Sequence, residues 1–161
     1  NREKYSLMDY GCGFGSLLEY MVKKETVPTE YIGFDVADEM LKNGKEHTSL
    51  INCNKRWVNK LTPDLHVDFI VASGIFNVMQ DVSTADWEKY ILTTLNIINS
   101  NCTKGFSFNV LTSYSDKEFK KDYLYYADSL SLFDYCKKHF SRNVALLHDY
   151  DLYEFTIIVR K

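Results

Sequence analysis

Apolar residues recur along this chain with two spacings, and the spacings predict a regular succession of strands and helices. Short apolar runs typical of strands cover residues 5–9, 31–36, 67–72, 105–111, 143–148 and 153–160. Apolar residues three and four positions apart, typical of amphipathic helices, cover residues 16–24, 38–47, 84–99 and 130–140. Such alternation of strand and helix is typical of α/β proteins with a parallel sheet.

Between residues 48 and 66 the pattern is less regular. We expect one short strand over 56–58 there, followed by a turn at Thr62-Pro63-Asp64. The run 67–72 is apolar without strict alternation, as in a central strand that is buried on both faces. Only a few polar residues separate the last two strands, and such a short connection requires an antiparallel pair. The sequence therefore predicts a doubly wound α/β sheet of seven strands whose last strand is antiparallel.

The length and charge of the chain limit the kinds of protein it can be. At 161 residues it suits a single domain over residues 1–161 with one core. It begins Asn1-Arg2-Glu3-Lys4, without an initiator methionine or a leader, so we expect that an N-terminal segment is missing. No apolar run approaches the roughly 18 residues of a membrane span. A formal charge of −3 disfavours nucleic acid as a partner.

The cysteines and histidines are scattered, which argues against a metal site. Cys12, Cys53, Cys102 and Cys136 lack the close paired spacing of zinc ligands. The 4 histidines are equally dispersed. We therefore expect no bound metal, and we expect free thiols in a reducing, cytoplasmic environment.

The most specific motif is a glycine loop between the first strand and the first helix, Asp9-Tyr10-Gly11-Cys12-Gly13-Phe14-Gly15. Glycines permit positive φ and let a ligand approach the backbone, and amides at a helix start attract the electron-rich end of a ligand. The loop is therefore typical of a nucleotide-type site. Its spacing G-x-G-x-G, with an acid two residues before the first glycine, departs from the dinucleotide fingerprint G-x-G-x-x-G.

A second acid follows the next strand. Asp35 ends the stretch Tyr31-Ile32-Gly33-Phe34-Asp35, twenty residues after Gly15. A carboxylate at this place can accept hydrogen bonds from both hydroxyls of a ribose. The alternative for Asp35 is a solvated loop acid. For Asp9, the alternative that it only binds backbone amides and orients the loop has equal weight.

The loop and this acid together resemble the class I S-adenosylmethionine-dependent methyltransferases, whose first motif commonly reads acid-x-G-x-G-x-G. Asp9, Gly11, Gly13 and Gly15 match that motif. The resemblance covers Tyr5 to Lys161, including the terminal antiparallel strands that distinguish this family from NAD-binding domains. It implies a Rossmann-like sheet, S-adenosylmethionine as the cofactor and transfer of a methyl group.

The resemblance also implies where the rest of the cofactor binds. Cys12 belongs to the loop, and Val36 is placed to touch the adenine. Family members often carry an acid near the adenine amino group, where this chain has Trp57-Val58-Asn59, so Asn59 or a backbone group is the candidate there. Ser73 and Gly74 follow the central strand and correspond to residues that line the methionine end of the cofactor and face the acceptor. Gly74 is equally compatible with an ordinary turn.

The sequence does not identify a catalytic residue, but it offers three candidates. His148 is a candidate general base because its ordinary pKa suits proton transfer near neutral pH, and Asp149 adjoins it. Asn77 and Tyr114 are candidates for binding the acceptor. A packed or surface role is the alternative for each of them, as it is for most of the 12 tyrosines.

The resemblance implies a methyltransferase, and we expect it to act on a small-molecule acceptor, such as a metabolite or a sugar intermediate. Enzymes of this fold that methylate base amino groups commonly carry Pro-Pro after the central strand, and those that methylate base carbons commonly carry Pro-Cys. This chain reads Ala72-Ser73-Gly74-Ile75-Phe76-Asn77. The alternative is a cofactor-binding module without catalysis. An NAD-dependent oxidoreductase is disfavoured by the glycine spacing and by the terminal strand pair.

Overall fold

The computed structural model describes residues 4–62 and 64–161, and its elements follow the predicted order. Its strands are β1 (Ser6–Tyr10), β2 (Glu30–Phe34), β3 (Asn54–Val58), β4 (Val67–Ala72), β5 (Cys102–Leu111), β6 (Asn143–Leu147) and β7 (Glu154–Arg160). Its α-helices are α1 (Ser16–Lys23), α2 (Asp38–His47), α3 (Thr84–Asn101) and α4 (Ser129–His139), with a 3-10 turn at Lys117–Phe119. Residues 1–3 and Pro63, the centre of the turn predicted at 62–64, lie outside the described residues.

The strands form a mixed sheet in the order β3-β2-β1-β4-β5-β7-β6. β1 pairs in parallel with β2 and β4, and β2 pairs in parallel with β3. β7 is antiparallel to both β5 and β6. The predicted Rossmann-like sheet of seven strands with an antiparallel last strand is therefore confirmed.

The chain divides into two compact units. The first unit comprises Asn1–Ala72 and Asn101–Thr103, and the second comprises Ser73–Ser100 and Lys104–Lys161. The expectation of one domain over residues 1–161 stays a prediction.

The core of the first unit lies between its parallel strands and α1. Leu7 of β1 and Tyr31 of β2 pack with Leu18 and Met21 of α1, and all four are buried. The three-residue spacing of the two helix residues gives α1 one apolar stripe, whose burial contributes roughly 1.5–3 kcal/mol per side chain. This packing fixes α1 against the strands, so that the loop from β1 to α1 has a defined start and end.

The core of the second unit includes one face of its antiparallel strands. Three opposed pairs are buried there, namely Phe106–Val159, Phe108–Ile157 and Val110–Phe155. Because side chains alternate between the two faces of a strand, Asn109 and Glu154 lie on the opposite face. Both of these residues are half-buried.

Several element bounds differ from the prediction, and the differences at the junction of α3 with β5 and at the start of β3 have a physical reason. α3 continues to Asn101 and β5 begins at Cys102, where the apolar pattern had indicated a helix over 84–99 and a strand over 105–111. Ser100 Oγ donates to the Asn96 carbonyl at 3.0 Å, a bond that keeps a polar residue within the helix. β3 begins at Asn54 because an edge strand can carry exposed polar residues that leave no apolar signature.

Candidate functional site

The glycine loop has the backbone conformation that its composition predicts. Gly11, Gly13 and Gly15 have φ values of 81°, 50° and 79°, all in the left-handed region that favours glycine. The amides of Gly11 and Cys12 donate to the Phe34 carbonyl at 2.8 and 2.9 Å. The loop is therefore tied to the end of β2.

Asp35 joins this loop to the start of α2. Its Oδ2 accepts the Gly13 N–H at 3.0 Å, and its Oδ1 accepts the Ala37 N–H at 3.0 Å. The second bond is an Asx turn, which ends β2 at Phe34 where the sequence had suggested a strand to residue 36. Each carboxylate oxygen has a further lone pair for another donor.

The loop amides behave differently from the expectation that they would face a ligand. The N–H groups of Gly11, Cys12 and Gly13 donate to β2 and Asp35, and the Gly15 N–H donates to the Cys12 carbonyl at 2.8 Å. These four donors are thus used within the protein. They hold the loop in shape, and the side available to a ligand is formed by glycine Cα atoms and by the Asp35 carboxylate.

Asp9 lies beneath the loop and is only 4% exposed. The Tyr31 hydroxyl donates to Asp9 Oδ2 at 2.7 Å. Burial raises the pKa of Asp9 to about 6, against the lowering effect of the Tyr31 hydrogen bond and with a further rise from the Asp35 charge. Burial and the Tyr31 hydrogen bond favour a structural role for Asp9 over direct contact with a ligand.

We predict that Asp9→Asn stabilises the protein at pH 7.5 by about 2–3 kcal/mol, because it removes a buried charge and keeps an acceptor for Tyr31. The Asp9 carboxyl group binds its proton more tightly in the native protein than in the unfolded chain, because its pKa is raised on folding. The ionised carboxylate therefore costs stability as the pH rises from about 4 to about 6, and the cost is constant above that range. Urea unfolding of both proteins from pH 4 to 8 tests this. A difference that does not grow between pH 4 and 6 would contradict it.

Three further cofactor candidates lie around this loop. Cys12 is buried, and a Cβ on Gly33 would stand 3.1 Å from its thiol sulfur. Val36 is 82% exposed. Asn59 Nδ2 donates to Asp38 Oδ1 at 2.7 Å. Because a carboxylate only accepts hydrogen bonds, this contact turns the Asn59 amide oxygen away from Asp38.

Trp57 fills a slot that three glycines create, which we call the Trp57 slot. A Cβ on Gly33 would lie 2.5 Å from Trp57 Cε3, and one on Gly44 would lie 2.5 Å from Trp57 Cζ3. A Cβ on Gly15 would lie 3.0 Å from Trp57 Cη2. The indole therefore packs against the strand, the helix and the glycine loop at once, and any side chain at Gly33 or Gly44 would displace it.

The two candidate cofactor-binding residues that follow β4, Ser73 and Gly74, belong to the second unit. Ser73 and Gly74 are exposed, and Gly74 has a φ of 74°. The Gly74 N–H donates to Asn109 Oδ1 at 2.7 Å, and Asn109 Nδ2 donates to Glu154 Oε2 at 2.8 Å. A chain of two hydrogen bonds thus links Gly74 to the Glu154 carboxylate.

The structure brings two of the three catalytic candidates together. The rings of His148 and Tyr114 lie with centroids 5.9 Å apart, next to the turn between β6 and β7. Tyr114 is 70% exposed. Asn77 instead fixes neighbouring backbone segments. Its Oδ1 accepts the Leu111 N–H at 3.0 Å, and its carbonyl accepts the Tyr125 N–H at 2.9 Å.

Sequence comparison adds to this geometry. A sequence model of the methyltransferase domain family matches residues 8–103, which include β1, the glycine loop and Asp35. The chain is also 45% identical, over 165 residues, to "Putative methyltransferase Rv1506c" of Mycobacterium tuberculosis strain H37Rv, with 99% of this chain and 95% of that protein covered. The chain belongs to the methyltransferase family. The class I resemblance expected from the sequence is thereby confirmed, and S-adenosylmethionine is the cofactor of that family.

Solved methyltransferases share the fold of this methyltransferase at low sequence identity. Magnesium protoporphyrin IX methyltransferase from Synechocystis PCC 6803, solved with bound SAH, has a TM-score of 0.69 and 10% identity over 100% of this chain and 75% of its own. The small RNA methyltransferase HEN1 has a TM-score of 0.70 and 14% identity over 99% of this chain and 23% of its own. Their likeness extends to the Rossmann-like fold.

Two residues of this methyltransferase were missed by sequence reasoning, Asn109 and Glu154. Each is a polar residue on the strand face opposite the buried apolar side chains, and this alternation is the signal that could have found them. Their hydrogen bond depends on the register of β5 with β7, in which Leu111 is opposite Glu154. A register of this kind cannot be read from either strand alone.

Further features of the methyltransferase concern metals, thiols and membranes. Over residues 4–62 and 64–161, no three His, Cys, Asp or Glu side chains cluster so that they could hold a metal ion. Within the same ranges, no helix combines the length and apolarity needed to cross a membrane. Cys12, Cys53, Cys102 and Cys136 are free thiols. The absence of a metal and the cytoplasmic location stay predictions.

Proposed function

We propose that this methyltransferase transfers a methyl group from S-adenosylmethionine to a small-molecule acceptor, and that its first unit binds the adenosyl part of the cofactor. The observation that carries the proposal is the hydrogen bond from the Gly13 N–H to Asp35 Oδ2 at 3.0 Å. It joins the two motifs of the class I resemblance. A Cβ built on Gly13 would meet nothing within 4 Å, so there is open space for a ligand beside this bond.

The residues around that space fit an adenosyl group. Asp35 has lone pairs left on both oxygens, which suits the two hydroxyls of a ribose. Val36, 82% exposed, offers an apolar surface to the adenine ring. The outward amide oxygen of Asn59 can accept from the adenine amino group, in the role that an acid often has in the family. Gly11, Cys12 and Gly15 would contribute contacts through their backbone carbon atoms, because their amides bond within the protein, and Asp9 has a structural role in the strand before the loop.

The chain's own residues have limited chemistry to perform. When bound, S-adenosylmethionine supplies an electrophilic methyl group on a sulfonium. Orientation of the acceptor and exclusion of water are then the main contributions of a protein. Ser73 and Gly74 are proposed to bind the methionine end. His148 stays the candidate for removing a proton from the acceptor, if that is required, and Tyr114 the candidate for contacting it.

A small-molecule acceptor is supported by the absence of two base-methylation motifs after β4 and by the net negative charge of the chain. Residues 72–77 contain neither Pro-Pro nor Pro-Cys, and the formal charge is −3. That charge gives no long-range attraction for a phosphate backbone. By their names, the solved neighbours act on a porphyrin and on small RNA, so the shared fold by itself is compatible with either class of acceptor.

The cofactor proposal is tested by isothermal titration calorimetry with S-adenosylmethionine, its demethylated product and NAD. We expect the first two to bind and NAD not to bind, because the site described here offers one adenosyl position. NAD binding that is as tight or tighter would overturn the proposal. Catalysis is tested with cofactor carrying a tritiated methyl group. Cofactor binding without label on metabolites or nucleic acids would favour the alternative, a binding module without catalysis.

A further inference from the structure

We propose that Glu154 binds a cationic amine group of the methyl acceptor, which makes the acceptor an amine-bearing small molecule. This inference rests on the proposed function, because it names the class of acceptor for the same reaction. It stands on four features of the second unit: the fixed orientation of Glu154, its place on the sheet, the charge of the adjoining turn and the aromatic rings of that turn.

The first feature is the orientation of the Glu154 side chain, which the backbone amide of Gly74 determines through the Asn109 side chain. The Gly74 N–H can only donate, so it requires the oxygen of the Asn109 side-chain amide to face it, as observed at 2.7 Å. The Asn109 Nδ2 must then face the other way, where it donates to Glu154 Oε2 at 2.8 Å. This charge-assisted bond holds one carboxylate oxygen and leaves Oε1 available to a ligand.

The second feature is the position of Glu154 at the end of the sheet that binds ligands in α/β proteins. Glu154 is the first residue of β7 and is opposite Leu111, the last residue of β5. In open α/β sheets, ligands bind outside the carboxyl ends of the parallel strands. Glu154 is therefore one hydrogen-bonded side chain away from Gly74, the residue that the class I resemblance assigns to the acceptor side.

The third feature is the charge of the turn that precedes Glu154. Residues 148–154 read His-Asp-Tyr-Asp-Leu-Tyr-Glu, with three carboxylates and neither lysine nor arginine. The side chains of residues 148–153 line a surface groove of about 600 Å³. A phosphate or carboxylate would be repelled at this groove, whereas an ammonium group would be attracted.

The fourth feature is the aromatic content of the groove, which also suits a cation. Tyr150 and Tyr153 contribute rings, and cations are attracted to the faces of such rings. Burial raises the pKa of Tyr150, the hydrogen bond with Thr156 lowers it, and the charges of Glu154 and Asp149 raise it. Glu154 is thus close enough to act electrostatically on a groove-lining hydroxyl, which itself is hydrogen-bonded to Thr156 Oγ1 at 2.7 Å.

The test uses the full chain with S-adenosylmethionine that carries a tritiated methyl group, and cell metabolites separated beforehand by cation and anion exchange. We expect label mainly in the fraction that cation exchange retains. In that fraction Glu154→Gln should raise the KM by at least about tenfold with a much smaller change in kcat, because it removes one charged contact and keeps the side-chain shape. Asn109→Ala, which frees Glu154 from its tether, should raise the KM less.

The control is Asp134→Asn, which removes one carboxylate from an exposed position of α4 and should leave both constants unchanged. Cofactor affinity, measured by calorimetry, should be the same in the wild-type chain, Glu154→Gln and Asp134→Asn. Label in the anion-exchange fraction would overturn the amine assignment, and so would an unchanged KM in Glu154→Gln. Failure of the wild-type chain to bind the cofactor would instead overturn the proposed function. Because the wild-type fractions decide the acceptor class, the test does not depend on the folding of any variant.

Discussion

Gly13→Ala is expected to weaken S-adenosylmethionine binding by at least about 100-fold, equivalent to about 2.7 kcal/mol, while the chain stays folded. A Cβ at this position meets no protein atom within 4 Å, so the free protein can accommodate it. The φ of 50° costs an L-residue roughly 1–2 kcal/mol, which most folded proteins tolerate. The added methyl group would occupy the space that we assign to the cofactor. Calorimetry measures the affinity, and thermal unfolding measures the stability.

Gly15→Ala is the comparison for the effect of this substitution on stability. Gly15 has a similar left-handed backbone, with φ 79°, but its Cβ would lie 3.0 Å from both Thr48 Cγ2 and Trp57 Cη2. The backbone cost is therefore comparable, and a packing cost is added. We expect a larger fall in Tm for Gly15→Ala than for Gly13→Ala. Normal cofactor affinity in a folded Gly13→Ala protein would show that the space beside Gly13 is not the binding site.

Asp35→Ala is expected to weaken cofactor binding by about 1.5–3 kcal/mol, the scale for hydrogen bonds to a charged group, which is roughly 10- to 150-fold. Two losses combine in this variant. The ribose hydroxyls lose their acceptor, and the Gly13 amide loses the bond that holds the loop at 3.0 Å. The fold should survive, because Gly11 and Cys12 still bond to the Phe34 carbonyl.

Glu39→Ala separates a specific effect of Asp35 from a general effect of charge. Glu39 is an exposed acid in the first turn of α2, four residues after Asp35. Its removal changes the net charge by the same amount, and we expect an unchanged affinity. Equal weakening by both substitutions would mean that Asp35 acts only through the overall electrostatic field. Circular dichroism of each variant checks that the sheet is intact.

Much of the fold could be predicted because local patterns determine its elements. The period of apolar residues indicated the four α-helices and all strands of the described chain except the first part of β3, and the glycine loop followed from spacing and from the conformational freedom of glycine. The pairing of Asp35 with this loop could be anticipated because the ends of adjacent parallel strands meet at one edge of a sheet. The hydrogen bond to Gly13 fits that reasoning.

The rest of the site depends on contacts between residues that are distant in the sequence. Nothing local to Asp9 reveals that it is buried under the loop with Tyr31 as its partner. From the sequence alone, Gly44 is a residue of low helix propensity inside a helix. In the structure, its missing side chain makes room for the indole of Trp57. Asn109 and Glu154 meet only because of a diagonal register between two antiparallel strands. Pairings of this kind are properties of tertiary structure.

The Trp57 slot also makes the residues tolerated at one position depend on the residue at another. The positions concerned lie in a loop, two strands and a helix. While the indole is present, we expect a mutation of Gly33 or Gly44 to any other residue to be destabilising, since a Cβ there would stand 2.5 Å from the ring. Once Trp57 is replaced by a small residue, both glycines are released and can vary. The order of mutations therefore matters: Trp57 must change first. A lineage that has filled either glycine position cannot return to tryptophan without reversing that step.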